Sequence, residues 1–313
     1  MKYLPILLAL VIFTQPAAAC LNLYGEDIHG GEHYMEHSMF RITSFNEKDI
    51  KKKLEALNNK IGYTGNYTYK DVSDYGAYLL MAGKYADGLT VFQALYKDHA
   101  EEYTIVQNLG TAYELNGMPD TAFYFIKKGY MLNPASHRGS EWLHIRYLES
   151  VTTKKQLDFS KSYFLDTTVF AQKPGYNPVG HNFEADCLLR HVNDQLNERI
   201  PFTLGKDDLL AKLLVEHGDL YAEKFSVTRA KICYLYAQYF CSNPDGLKLI
   251  SQKLERVNAA INSRARDRQA SREYDQSYEG YRKIAMRKPL NTKKWVFIPV
   301  ESLLEKLKAA PSM

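Results

Sequence analysis

The chain has 313 residues, 45% of them hydrophobic and 24% charged, a composition that excludes whole-chain disorder and the collagen-like or low-complexity linker classes. Forty Lys and Arg against 36 Asp and Glu leave a net charge of +4, too small and too dispersed to imply nucleic acid as a partner. The 24 tyrosines suit helix interfaces or a wide groove, where a ring packs while its hydroxyl reaches water.

Lys2, an apolar run from Leu4 to Phe13, a polar break at Thr14-Gln15-Pro16 and the small residues Ala17-Ala18-Ala19 follow the order of a secretory signal peptide over residues 1–19. The apolar run covers about half of the roughly 20 residues a membrane-spanning helix needs. Cys20 leaves two outcomes open. Ala17-Ala18-Ala19-Cys20 resembles the lipobox of bacterial lipoproteins, with Ala17 where Leu is usual, which implies a lipid anchor at Cys20; plain cleavage fits the same residues. Either outcome puts the mature chain in the periplasm or at the outer membrane of a bacterial cell envelope.

Residues 20–68 read as an N-terminal segment ending in a helix. His29, His33 and His37 lie close together there. The i, i+4 spacing of His33 and His37 would set both on one helix face as a transition-metal pair, with Glu36 as a further donor. The zincin order His-Glu-x-x-His is absent, because Tyr34 follows His33. A solvated segment is the alternative. Residues 46–58, with Ile50, Leu54 and Leu57 on one face and Asn46 as a cap, predict a helix.

A period of 34 residues follows. Gly76 and Gly110, Gly83 and Gly117, Gly88 and Ala122, and Phe92 and Ile126 are each separated by 34 positions. Paired helices explain it: small residues let backbones approach, large ones fill the adjoining holes, and Gly83 and Gly117 stand where a first helix must stop in a left-handed turn. Asn133-Pro134 closes the second unit. Ser140 to Tyr147 begins another first helix, with Leu143 and Tyr147 in register with Leu109 and Tyr113 and with His144 in the place of a small residue. This pattern resembles the tetratricopeptide repeat family, over residues 69–148 and, in degenerate form, over 205–262, where Gly218, Tyr221, Ala230, Tyr234 and Ala237 keep the spacings.

The resemblance implies an all-α fold, a solenoid of helical hairpins in two short arrays. The first spans 69–156 with a half repeat as its cap, and the second spans 185–288. In that family the first helices of successive units line a concave groove that takes a peptide or a partner helix. On this chain those positions are Ser73, Ala77, Leu80, Gln107, Asn108, Thr111, Glu114, Arg138, Glu141 and Ile145. Only Asn108 and Arg138 match the carboxylate clamp of some members, so carboxylate clamping is not expected.

Between the arrays, 157–184 is a connector rich in turn residues. Cys187–Arg199 reads as an amphipathic helix stopped by Ile200-Pro201-Phe202, and Asp207-Asp208 caps the next. Leu247, Ile250, Leu254, Val257 and Ile261 continue the helical pattern. Residues 264–294 are basic, with Tyr274, Tyr278 and Tyr281 interleaved; a solvated terminal helix and an anionic envelope surface are the two readings. Residues 289–313 read as a fraying C-terminal tail, with an extended stretch at Val296–Pro299. Cys187, Cys233 and Cys241 form no Cys-x-x-Cys pair, which argues against a thiolate zinc site. No phosphate-binding loop and no nucleophile–base motif occurs. The sequence thus implies a non-catalytic scaffold without a cofactor, binding a protein or peptide in the groove. The alternative is a metal-dependent or cryptic enzyme built on the His33/His37 segment.

Overall fold

The computed structural model describes residues 23–26, 29, 32–35, 46–153, 157–165, 183–263 and 288–309. The signal-like run, Cys20, His37 and the basic stretch up to Arg287 lie outside the described residues. Within them the protein is helical apart from one short hairpin. Strands β1 (Leu23–Glu26) and β2 (Glu32–Met35) pair antiparallel, with Tyr24 opposite Tyr34 and Gly25 opposite His33. This corrects the helical reading of the His33/His37 pair. His33 sits in a strand rather than on a helix, and His37 lies outside the described residues.

Helix α1 (Glu47–Asn59) starts at Asn46, whose side chain accepts from the Lys48 amide. Helices α2 (Tyr69–Met81), α3 (Tyr85–Asp98), α4 (Tyr103–Leu115) and α5 (Pro119–Leu132) follow as two antiparallel pairs. Thr68 and Asp71 form a reciprocal capping box at the start of α2. Gly83 and Gly117 end the first helix of each pair at φ 79° and 73°, a backbone that side-chain-bearing residues resist.

The close approach expected at Gly110 is present. A Cβ there would stand 2.7 Å from Ile126 Cδ1 and 3.1 Å from the Ile126 backbone nitrogen, so α4 and α5 touch through the missing side chain. Gly110→Val is expected to cost about 1–3 kcal/mol through overpacking. Gly110→Ala should cost less, because alanine recovers up to about 1 kcal/mol of helix propensity. Urea unfolding checks both, and a valine variant as stable as wild type would disprove the contact.

Helix α6 (Glu141–Thr153) lies against α5. After the connector, α7 (Phe183–Arg199) packs on α6, and α8 (Asp208–Lys224), α9 (Val227–Phe240) and α10 (Pro244–Ser263) continue the succession of neighbouring helices. Leu148 on one face of α6 packs with Ala122 and Ile126 of α5, while Leu143 and Tyr147 belong to the core of α7–α10. A separate core joins α1 to α4 around Tyr75, Leu79, Phe92 and Leu109.

The C-terminal end also differs from the frayed tail. Residues 295–298 run along the first helices, where the Ile298 amide donates to Tyr75 Oη at 2.8 Å and Asn58 Nδ2 donates to the Val296 carbonyl at 2.7 Å. Helix α11 (Val300–Ala309) then buries Leu303 in the α1–α4 core. Its apolar residues follow the helical period, but nothing local in the sequence says which distant helices they meet. Among the described residues no helix is long and apolar enough to cross a membrane.

Candidate functional site

The inward faces of α2, α4 and α6 converge on a cavity of about 660 Å³. Ala77 and Leu80 of α2, Gln107, Asn108, Thr111 and Glu114 of α4, and Glu141 of α6 line it. These are seven of the ten positions expected to form the groove. The other three lie elsewhere. Ser73 is buried within the helix packing. Ile145 packs beside Ala122, Ile126 and Leu148. Arg138 turns its guanidinium to Asp194 of α7, its Nε donating to Oδ2 at 2.8 Å.

The groove is not open across its width. Its far wall is the last turn of α7 and the short helical turn after it, which contribute Gln195, Asn197, Glu198, Arg199, Pro201 and Phe202. Glu114, Gln107 and Glu141 of the expected groove are engaged from within the chain. Arg199 donates to Glu114 Oε1 at 2.6 Å, and His144 Nε2 lies 2.8 Å from Glu114 Oε2. Glu141, fully buried, accepts from Gln107 Nε2 and meets His137 Nδ1 on its other oxygen. His137 Nε2 lies 3.3 Å from Glu198 Oε1. Gln195 Nε2 donates to Ser140 Oγ at 3.0 Å and joins α7 to the start of α6.

This network fixes its own charges. Burial disfavours the charged form of Glu114, yet Arg199 and His144 hold its carboxyl well below the usual carboxylate range. Burial likewise opposes ionisation of Glu141, but its bonds to His137 and His144 bring it down to about 2. His144 is buried too, and Glu114 and Glu141 push it up to about 9. The hydrogen bond to Glu141 raises His137. Burial raises Glu198, with neighbouring Glu141 adding to the effect. The arrangement is two imidazoles and a guanidinium threaded among three glutamates.

A pH dependence of stability follows. His144 is bound as the cation, so its contribution is complete below its unfolded value of 6.5 and disappears as pH rises toward about 9. A rise of that size corresponds to about 3 kcal/mol. His217, fully buried in α8, has the opposite sign: burial, with the Arg229 charge beside it, lowers it to about 3. Its contribution is complete above 6.5 and is lost as pH falls below that. Glu114 and Glu141 lose theirs only below about 4.5; between 6.5 and 4.5 His191, also lowered by burial, acts in the same sense as His217, while Glu198 and Glu216, raised by burial, oppose it. Melting temperature is expected to peak near pH 6.5. His144→Gln should flatten the alkaline side and His217→Gln the acid side; unchanged limbs in both variants would refute the assignment.

The sequence reading missed His137, His144, Glu198 and Arg199 as members of the site. His144 carried one signal, a large polar residue at a register position that wants a small one. Glu198 and Arg199 carried none, since Arg199 meets Glu114 across 85 positions. No family model matches the chain, and no curated protein and no solved structure gives a significant match to it.

Proposed function

We propose that the protein is a non-catalytic binding scaffold of a bacterial cell envelope, a tetratricopeptide-type solenoid that takes a peptide or a segment of a partner protein against the inner faces of α2, α4 and α6. The observation that carries this reading is the cavity itself. Seven residues named from a repeat register line one concavity of about 660 Å³, within the size range of ligand-binding sites. Its walls mix apolar side chains (Ala77, Leu80, Met81, Phe202) with polar ones not committed to ion pairs (Asn108, Thr111), the composition that fixes a ligand's orientation. Export rests on residues 1–19, and Cys20 is the proposed lipidation position if the chain is anchored.

A photo-crosslinking amino acid at Thr111 tests the site in envelope extract. The reading expects a partner captured from Thr111 but not from Tyr124, which is exposed and does not line the cavity. It also expects Asn108→Ala to weaken capture from Thr111. Equal capture from both positions, or none from either, defeats it. Mass spectrometry of the mature N-terminus separates acylated Cys20 from plain cleavage.

A further inference from the structure

We propose that the cavity wall carries a divalent-cation site of the zinc class, with His137 and Glu198 as ligands and the buried Glu141 orienting the imidazole. The first observation is backbone geometry. His137 and Arg138 have φ 46° and 57°, and among the described residues they are the non-glycine residues with positive φ. Holding each side-chain-bearing residue there costs on the order of 1–3 kcal/mol and is characteristic of sites where the chain is constrained to present a group. What this turn presents is the His137 ring, set between a carboxylate of α6 and one of α7.

The ring's two nitrogens have distinct surroundings. Nδ1 meets Glu141, which is buried and held in turn by Gln107 and His144. A carboxylate on the far nitrogen is the usual support of a metal-ligating histidine, because it fixes the tautomer and the ring plane. Nε2 faces Glu198 Oε1 at 3.3 Å. Two ligand atoms each about 2.0–2.1 Å from a tetrahedral zinc ion stand roughly 3.4 Å apart, so this pair already has the spacing of one edge of such a site. One ligating atom from each of His137, Glu141 and Glu198 falls within 4.8 Å of the others.

Access and donor chemistry agree. The Glu198 side chain is 49% exposed, so an ion reaches the pair from solvent. One imidazole with carboxylate oxygen suits a borderline first-row cation better than calcium or magnesium, which favour oxygen alone. His137, Glu141 and Glu198 all line the cavity. Asn197, adjacent to Glu198 and also on the wall, has a buried Oδ1 without a hydrogen-bond partner, an acceptor for water carried by the ion.

Calorimetric titration of the chelator-stripped full chain with zinc chloride tests the site. One saturable zinc ion is expected at the cavity. His137→Asn should weaken it at least tenfold while keeping the turn, since asparagine tolerates the left-handed backbone. Glu198→Gln, which changes one half-exposed oxygen, should do the same, and Glu141→Gln should weaken binding about 10–100-fold by freeing the ring. His33→Ala/His37→Ala should leave this affinity unchanged. Melting curves identify variants that remain folded, and where His137→Asn does not fold, Glu198→Gln decides. The site is overturned if wild type shows no saturable zinc, if affinity survives in either folded ligand variant, or if it vanishes only in the His33/His37 variant. Zinc alone is the probe, so a chain that binds zinc and captures no peptide loses the scaffold reading and keeps this one.

Discussion

Arg199→Ala is expected to destabilise the protein by up to about 3–5 kcal/mol, because the buried Glu114 carboxylate then keeps only His144 as a counter-charge. The guanidinium sits at the end of α7 with its side chain 15% exposed. It donates to Glu114 of α4 and lies 3.6 Å from the centre of the Tyr147 ring of α6. Tyr147 in turn donates to Asp207 at 2.7 Å, just ahead of α8. One side chain therefore connects a helix of the α1–α4 core with two elements of the α6–α10 core. Arg199→Lys should recover only part of the loss, because an ammonium cannot stack its plane on the ring while pairing with the carboxylate. Glu114→Gln alone should also destabilise. The double variant should lose less than the two single losses added, since each single change strands the other group. Denaturant unfolding measures all four chains. A loss below about 1 kcal/mol for Arg199→Ala would place the pair in the class of solvated surface bridges and remove the link between the two cores.

That link marks where local reading of the sequence stops. The helices from 46 to 132 were legible because their boundaries have nearby physical causes: Asn46 at an N-terminus, Gly83 and Gly117 at left-handed stops, Asn133-Pro134 after the last. The interlocking of Gly110 with Ile126 was legible because both lie within one repeat. The inward residues of α2 and α4 were placed by the same register, and most of them line the cavity. What covers them was not legible. The connector breaks the 34-residue stride, so no spacing tells that the end of α7 returns to face α4. The docking of α11 on the first helices fails for the same reason, since Leu303 and Tyr75 belong to one core across more than two hundred positions. The hairpin at 23–35 was misread for a different reason. Histidine spacing was weighed as a helical period although Gly30-Gly31, a turn signal, lies between His29 and His33.

Glu216→Ala should be as damaging as any single change outside the cavity, and for a cause that can be separated from it. Glu216 and Lys212, one turn apart on α8, are each 2% exposed. The carboxylate accepts the backbone amides of Tyr163, Phe164 and Leu165 at 2.6, 2.8 and 2.7 Å, and the ammonium donates to the Phe159 carbonyl at 3.0 Å. Together they hold the connector against α8, with Phe164 and Leu165 buried in the core beneath it. Alanine at 216 leaves three amides without an acceptor and Lys212 without its counter-charge. Each orphaned amide is worth about 1–3 kcal/mol, and the stranded ammonium brings a total of about 3–5 kcal/mol within reach even after the loop relaxes. Lys212→Met/Glu216→Gln removes the charge and keeps one acceptor oxygen, so it should recover part of the loss. The damage should also be local. Lys161 lies exposed on the connector, and trypsin should cut after it faster in Glu216→Ala than in wild type, because cleavage follows the open population of that segment. Arg199→Ala, which leaves the Glu216 bonds in place, should not accelerate this cut beyond what its lower global stability accounts for. Equal cutting rates in Glu216→Ala and wild type would mean that the amides of 163–165 are held by something other than α8.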